Sequence, residues 1–316
     1  MLPDKQGDDG RAPLGAAQFY DSSFATVRSL AVDASGTQRF VPDRTVVRGV
    51  NGWVAGVPPR DPPTSSSTSS TFYSQRNLGL TGSAAEGADA KTVALSPIAV
   101  AVDSKAQDLY VLEPSSIRHV NLREQVPTIR TVAGEALGSP LTVPRGSVIA
   151  ADIFGHVFVG DVNSGAIHRL DMATAKLTKL VTMETGVGSL TVDAGGTALY
   201  AAGYNAPTVY RIDPVTGSKS VVAGGGAADQ DGVSATSVRL KVETVAVDPF
   251  GGHLYISDGA SRRIRKVDLS TGVINSVVGS GQRAYQPAGK AAAFAFEEPY
   301  AMAVDLSGSV FMLIPN

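Results

Sequence analysis

The chain has 316 residues, a formal net charge of −2 and a charged fraction of 18%. Proteins that bind nucleic acids usually carry a strongly basic surface, so this balance argues against DNA or RNA as the partner. The chain contains no cysteine, which excludes disulfides, thiol catalysis and cysteine-ligated metal and favours a reducing compartment.

The first 28 residues are predicted to form a linker-like segment ahead of the first strand. They contain no apolar stretch of signal-peptide length, and no later run approaches the length of a membrane span. We therefore expect no membrane span. The localisation stays open, and the missing signal peptide and cysteines favour an intracellular site.

Short apolar runs alternate with turn residues from Ser29 onward. The clearest copy covers Glu243–Gly281, where four runs are separated by Pro249–Gly252, Asp258–Ser261 and Asp268–Gly272. Short runs rich in Val, Ile and Tyr and bounded by Gly, Asp, Ser and Pro indicate antiparallel strands. A four-strand unit that recurs every 40 to 50 residues or so is typical of a propeller blade.

An apolar run that ends in Asp marks the first strand of each unit. The six copies are Leu30–Asp33, Val100–Asp103, Ile149–Asp152, Leu190–Asp193, Val245–Asp248 and Met302–Asp305. A small residue stands two positions before each Asp, which suits crowded inner strands. Gly follows three positions after the Asp in five copies, and this pairing is typical of a type I turn. The aspartates are therefore predicted to form turns and not to be catalytic.

The units predict one domain, residues 29–316, with five complete blades and part of a sixth. The complete blades are expected at Ser29–Gly56, Pro97–Gly134, Ser147–Met183, Ser189–Gly224 and Glu243–Gly279. The last copy offers only Tyr300–Asp305 and Ser309–Leu313, so we expect an incomplete sixth blade in a fragment or isoform of a longer protein. Alternatively, Gly15–Ala25 supplies one further strand. The insertion at residues 57–74, rich in Pro, Ser and Thr, is predicted to be disordered.

The strand endings form a recurring set of motifs. Residues 245–268 contain V-A-V-D-P-F-G, Y-I-S-D and R-I-R-K-V-D in order, and Val221–Gly224 gives the fourth-strand motif V-V-A-G. This set resembles the NHL repeat, from Ser29 to the last residue. The resemblance implies an all-β fold, a β-propeller of NHL type with about six four-stranded blades of which the last is incomplete. It implies little about function, because the family includes enzymes, receptors and scaffolds.

Two kinds of propeller chemistry bear on function. The family's amidating lyase binds zinc through histidines that line the channel. The four histidines of this chain are His119, His156, His168 and His253. They offer no convergent set of three ligands, so we expect no metal and no cofactor.

A hydrolase would need polar groups around the axis, and such groups are Glu113, Asn163, Asn205 and Asp258. Turns require the same residue types, so the non-catalytic interpretation is favoured while enzymatic activity stays open.

The turns between second and third strands share one face in such a fold, and loops on a rigid scaffold usually carry recognition. The residues predicted to form this binding face are Arg44, Glu113, Asp161, Asn163, Tyr204, Asn205, Asp258 and Arg262. We expect a non-catalytic interaction module or scaffold that binds a protein or peptide there. The alternative is a propeller-type hydrolase or lyase with a site at the mouth of the central channel. The sequence does not predict the oligomeric state.

Overall fold

A computed structural model of the chain describes residues 29–43, 46–49, 52–56, 87–282, 291 and 299–314. Within these ranges the chain is all-β, as predicted, apart from short 3-10 turns at Ala90–Thr92, Glu135–Leu137 and Ala235–Ser237. The segment 1–28, the insertion 57–74 and Arg44 lie outside the described residues.

The strands form antiparallel sheets that follow one another along the chain. Blade 1 comprises β1 (Ala31–Val32), β2 (Arg39–Asp43), β3 (Val46–Gly49) and β4 (Gly52–Gly56). Blade 2 comprises β5 (Ala88–Asp89), β6 (Ala99–Val102), β7 (Asp108–Leu112), β8 (Ser116–Asn121) and β9 (Thr128–Gly134). Blade 3 comprises β10 (Val148–Ala151), β11 (Val157–Gly160), β12 (Ala166–Asp171) and β13 (Lys176–Thr182).

The second half of the chain repeats this plan. Blade 4 comprises β14 (Ser189–Val192), β15 (Leu199–Ala202), β16 (Thr208–Ile212) and β17 (Lys219–Gly224). Blade 5 comprises β18 (Val233–Ser234), β19 (Val242–Val247), β20 (His253–Asp258), β21 (Arg263–Asp268) and β22 (Val273–Val278). Sheet 6 comprises β23 (Ala301–Val304) and β24 (Val310–Leu313). Whether the chain is part of a longer protein stays a prediction.

One strand of every sheet lies at the centre of the molecule. Strands β1, β6, β10, β14, β19 and β23 contact one another in turn, and β23 contacts β1, so the described sheets surround an axis. These strands line a narrow axial cavity with Ala, Val, Ile, Leu and Met side chains. Sheets arranged around a central channel are the architecture of a β-propeller.

A small residue on each inner strand pairs with an aromatic residue on the next strand. The pairs are Ala31–Phe40, Ala101–Tyr110, Ala150–Phe158, Thr191–Tyr200, Ala246–Tyr255 and Ala303–Phe311. All six aromatic residues are buried. Directly opposite residues on antiparallel strands have Cβ atoms about 5 Å apart, so a large ring on one strand favours a small partner on the other. This pairing adds a second reason, besides crowding, for the small residues of the inner strands.

The six repeated aspartates are buried turn residues. In each copy the backbone N–H three residues later donates to the Asp carbonyl, as from Gly155 to Asp152 (3.3 Å) and from Gly251 to Asp248 (2.9 Å). The carboxylates also accept backbone N–H groups, as Asp305 does from Ser307 and Ser309 (2.9 Å each). Their turn-forming role follows directly from these bonds.

The inner turns also bond to each other across blade boundaries. Ala34 donates to Ser104 (2.9 Å), Ile153 to Ala194 (3.3 Å), Ala194 to Pro249 (3.1 Å) and Leu306 to Ala34 (2.7 Å), all between backbone N–H and C=O. The corresponding bond from blade 5 to sheet 6 cannot form, because Pro249 has no backbone N–H. The described backbone also shows no such bond from Ser104 to blade 3.

The linkers that lead into blades 2 and 5 each add a short outer strand. Strand β5 pairs with β9, and β18 pairs with β22. The sequence predicted linkers between blades at these places. A two-residue strand has no periodicity of its own, so its sequence carries no strand signal.

Candidate functional site

The turns between second and third strands, together with the linkers between blades, define what we call the loop face. The described loop-face turns are Glu113–Ser116, Asp161–Gly165, Gly203–Pro207 and Asp258–Arg262. The opposite ends of the sheets carry the first-to-second and third-to-fourth turns, and we call this side the turn face. Seven of the eight predicted binding residues fall on the described loop face, and the eighth, Arg44, lies outside the described residues.

The predicted carboxylates Glu113 and Asp258 are buried and hold backbone in place. Glu113 Oε1 accepts the N–H of Ser96 at 2.7 Å. Asp258 Oδ1 accepts the N–H groups of Lys241 and Ala260 at 3.1 Å each. Both carboxylates therefore fasten the incoming linker to the second-to-third-strand turn. These bonds give Glu113 and Asp258 a structural role.

Asp161 closes the equivalent turn of blade 3. Its Oδ1 accepts the N–H groups of Asn163 (2.7 Å) and Ser164 (3.0 Å). Partial burial opposes ionisation, but these backbone bonds outweigh it and lower the pKa of the Asp161 carboxyl. Asn163 itself is exposed at the turn tip. Asp161 is thus an ionised turn cap, and a poor candidate for a general acid or base near neutral pH.

Tyr204 and Asn205 form an exposed, rigid ledge in blade 4. Tyr204 is 50% exposed, and Asn205 has a left-handed backbone with φ of +57°. The Asn205 N–H donates to the Val242 carbonyl at 2.8 Å, and the Val242 N–H donates to Ala206 at 2.9 Å. A Cβ at Gly188 would lie 2.6 Å from the Tyr204 nitrogen, so the ledge packs closely on the inner strand. Asn tolerates the left-handed region better than most residues.

A buried carboxylate that the sequence interpretation missed lies beside this ledge. The Glu243 side chain is only 2% exposed, and its Oε1 lies 3.0 Å from Nζ of Lys241, which is itself partly exposed. Glu243 stands one residue after Val242, the partner of Asn205. A charged residue at the start of an otherwise apolar inner strand was the available signal. A buried carboxylate is costly unless it is paired, and the Lys241 ammonium is the charge partner of Glu243.

The predicted residues divide between two places. Asn205 and Asp258 meet at the boundary of blades 4 and 5, because Asn205 bonds to Val242 and Asp258 bonds to Lys241, and Tyr204 directly precedes Asn205. Arg262, exposed and left-handed at φ +53°, ends the Asp258 turn of the same blade. Glu113, Asp161 and Asn163 belong to blades 2 and 3 and do not join this group. We call Tyr204, Asn205, Lys241, Glu243 and Asp258 the blade 4–5 cluster.

The histidines are dispersed. His156 and His253 pair through Nδ1 with the turn carboxylates of Asp152 (2.6 Å) and Asp248 (2.8 Å) on the turn face. His119 pairs with Asp108 at 2.7 Å. Burial lowers the pKa of His168 in spite of the nearby Asp161 carboxylate. Within the described ranges no three His, Asp or Glu side chains are grouped so that they could hold a metal ion.

Comparisons with known proteins identify the fold and not the family. No family model matches the chain, and no curated protein matches it. It is similar to a structural genomics protein of unknown function from Bacteroides thetaiotaomicron (17% identity, TM-score 0.63, 96% of this chain and 70% of that one). It is also similar to auxiliary nutrient binding proteins from B. thetaiotaomicron (14%, TM-score 0.58) and Bacteroides ovatus (17%, TM-score 0.57), with 90% of this chain and 65% of theirs covered. The chain thus spans about two thirds of these proteins.

None of the helices in the described part of the chain is long and apolar enough to cross a membrane.

Proposed function

We propose that this chain is a non-catalytic β-propeller of NHL type that binds a protein or peptide at the blade 4–5 cluster of its loop face. The observation that carries the proposal is the exposed Tyr204 ring, which directly precedes Asn205 and Ala206, the two residues whose backbone bonds to Val242. Tyr is enriched at interfaces because it offers a large amphipathic surface, and a ledge that is already rigid loses little entropy on binding.

Electrostatics support a partner with a basic or amide-rich contact. Lys241 and Glu243 flank Val242, whose carbonyl accepts the N–H of Asn205 in the ledge. A partner cation can stack on the π face of the exposed Tyr204 ring. Desolvated contacts of this kind give an interface its specificity.

The channel supports binding over catalysis. Its described lining consists of aliphatic side chains with Ser104 and Thr191 as the polar members. A hydrolase or lyase at the channel mouth would need a general base and an electrophile around the axis. The similar nutrient binding proteins share the fold at low identity, and their binding role is compatible with this proposal.

Site-specific photocrosslinking tests the proposal. The photoreactive amino acid p-benzoylphenylalanine replaces Tyr204 in the full chain, expressed in its native cells. A matched control places it at Val221, an exposed residue of the outer strand β17 of the same blade. We expect light-dependent adducts with one defined polypeptide from position 204 and none from position 221. Equal adducts from both positions, or none from 204, would contradict a loop-face partner.

A further inference from the structure

Strand β24 of sheet 6 presents an apolar outer edge. Among the described strands it pairs with β23 alone, whereas the second strand of every other sheet also pairs with a third strand. Its sequence is Val-Phe-Met-Leu, without the charge, proline or bulge that natural proteins place on an exposed sheet edge. Such an edge is a template for a further strand, which can add to the sheet through backbone hydrogen bonds.

Two side chains of β24 are more exposed than their equivalents. Met312 follows the aromatic residue of its strand and is partly exposed. Its five equivalents are completely buried, namely Val41, Val111, Val159, Ala201 and Ile256. Leu313 is also partly exposed, and the residue at its position is buried in the other five sheets. In those sheets the third strand lies against the second at these positions, as at the pair Ile256–Arg265.

The cores between neighbouring blades show what an added strand must supply. From blade 1 to blade 5, each boundary includes a buried aliphatic residue from the third strand of the following blade. These residues are Val120, Leu170, Ile212 and Val267, each directly opposite an aliphatic residue of the second strand. Val310 has this second-strand position in sheet 6, and no described strand lies along its outer edge. An aliphatic side chain opposite Val310 would therefore complete the core between blade 5 and sheet 6.

Arg39 specifies the charge of the neighbouring position. It stands immediately before Phe40, at a place that holds Leu or Val in the five other sheets, and its guanidinium lies 4.7 Å from the centre of the Phe311 ring. Its Nε donates to the Gly36 carbonyl at 3.0 Å, and it forms no salt bridge with a described carboxylate. Directly opposite side chains of antiparallel strands share one face of the sheet, so the residue opposite Phe311 would lie beside Arg39. A carboxylate there would pair with the guanidinium.

We propose that the outer edge of β24 binds an extended segment of a separate protein as an added antiparallel strand. The segment has the pattern aliphatic–x–acidic–aliphatic, with its aliphatic residues opposite Leu313 and Val310 and its acidic residue opposite Phe311. Blades 2–5 have the same aliphatic spacing in their own third strands but a basic residue at the third place, namely His119, Arg169, Arg211 and Lys266.

The sequence supports a separate polypeptide as the source of this segment. Outside the described ranges, the chain contains no Asp or Glu that has Val, Ile or Leu both two positions before it and one position after it. The chain therefore offers no unused segment with the required pattern. The edge of β24 shares no residue with the blade 4–5 cluster, so the two proposals can be tested separately.

Binding of a peptide that copies blade 5 to the full chain tests the proposal. The reference peptide comprises residues 263–278, which form a third and a fourth strand, and the test peptide carries Lys266→Glu in that sequence. Fluorescence anisotropy with labelled peptides should show the Glu peptide binding about five- to tenfold more tightly than the reference, because an attractive charge pair replaces a repulsive one. A third peptide that also carries Arg265→Pro should not bind, since proline cannot occupy the middle of a paired strand.

The Arg39→Leu chain identifies the charge partner. Leu or Val occupies this place in the other sheets, so the variant should fold, which an unchanged thermal midpoint would verify. It should bind the Glu peptide and the reference peptide with equal affinity. The matched control Arg239→Leu removes an exposed arginine of the linker into blade 5 and should keep the preference for the Glu peptide.

A disulfide tests the register, because the chain contains no cysteine. The Met312→Cys chain should crosslink with a peptide that carries Arg265→Cys, directly opposite, and not with one that carries Ser270→Cys in the turn. Equal affinity of the unaltered chain for the Glu and reference peptides, binding of neither, binding of the Pro peptide, or crosslinking through Ser270→Cys alone would overturn the proposal. A dimer of the Met312→Cys chain that forms without peptide would assign the edge to a second copy and overturn it as well.

Discussion

Ala106 occupies the turn position that glycine holds in the five other copies. Its φ of +52° matches the left-handed backbone of Gly36, Gly155, Gly196 and their equivalents. The turn hydrogen bond to Asp103 is present at 2.9 Å, so the local geometry overrides the residue preference. A left-handed conformation costs an L-residue with a Cβ about 1 kcal/mol, so blade 2 carries strain that the other turns avoid.

Ala106→Gly should therefore raise the free energy of unfolding by about 0.5–1 kcal/mol, because relief of strain exceeds the added chain entropy. Lys105→Gly is the matched control. Lys105 is not among the left-handed residues, so glycine there should lower stability by a similar amount. Urea unfolding of both variants measures the difference. A loss of stability in both variants would contradict strain at Ala106.

Three of the six buried aromatic residues that pair with the inner strands are tyrosines, whose hydroxyl groups can ionise. Burial raises the pKa of Tyr110, Tyr200 and Tyr255 above the ordinary value, since the phenolate is poorly solvated there. A raised pKa in the folded state means that the stability is fully present below about pH 10 and is lost as pH rises beyond it. Each buried tyrosine can contribute a loss of up to about 1.4 kcal/mol per pH unit in that range.

The triple variant Y110F/Y200F/Y255F should flatten this alkaline decline. The equivalent positions of the other three sheets hold Phe40, Phe158 and Phe311, so a Phe ring fits there. Urea midpoints at pH 8 and pH 11 measure the effect, and Tyr204→Phe, at an exposed ring, should keep the wild-type decline. An equally steep decline in the triple variant would show that other groups govern alkaline unfolding.

At the scale of elements, the linkers into blades 2 and 5 are held by an outer strand, and in blade 5 also by a buried arginine. Arg265 is 1% exposed, and its Nη2 lies 3.0 Å from Asp231 Oδ1 in the linker. The same Asp231 oxygen accepts the N–H and hydroxyl of Ser276, each at 3.0 Å. Asp258 Oδ2 lies 3.8 Å from Arg265 Nη1. Through Arg265 and Ser276, Asp231 thus ties the linker to the third and fourth strands of blade 5.

Asp231→Ala should lower the free energy of unfolding by about 2 kcal/mol, because it leaves a buried guanidinium short of a partner. The estimate is below the cost of a fully buried pair, since the Asp231 side chain is about half exposed. Asp229→Ala, two residues earlier, breaks only the exposed pair with Arg239 and should change stability by less than about 0.5 kcal/mol. Chemical denaturation compares them, and equal losses would refute the anchoring role of Arg265.

The sequence predicted the elements whose signals are local. Asp and Gly at fixed spacing form their turns within six residues, so the main strands and their order were predictable from sequence. Strands β5 and β18 exist through pairing with a distant edge and were missed. The site was harder to predict. Turns and binding sites use the same residue types, so the sequence does not reveal whether a carboxylate such as Asp258 is available to a ligand. It also did not reveal the exposure of Phe154 and Phe250.

At the scale of the whole molecule, the chain repeats itself beyond the single blade. Blades 2 and 5 each have a linker strand and a buried arginine on the third strand, Arg118 and Arg265. Ser29 and Ser189 each accept, through Oγ, an inner-strand N–H of the next blade at 2.9 Å, from Val100 and Val245. The pattern recurs every three blades.

The missing bonds at Ser104 and Pro249 fall at opposite points of the axial ring. The backbone bonds therefore join blades 3, 4 and 5 into one half and sheet 6 with blades 1 and 2 into the other. At the axis the two halves meet through side-chain packing, as between Ala246 and Met302. The two halves therefore have two boundaries without these backbone bonds, one between blades 2 and 3 and one between blade 5 and sheet 6. Any widening of the channel should proceed by one half tilting against the other about the line that joins these two boundaries.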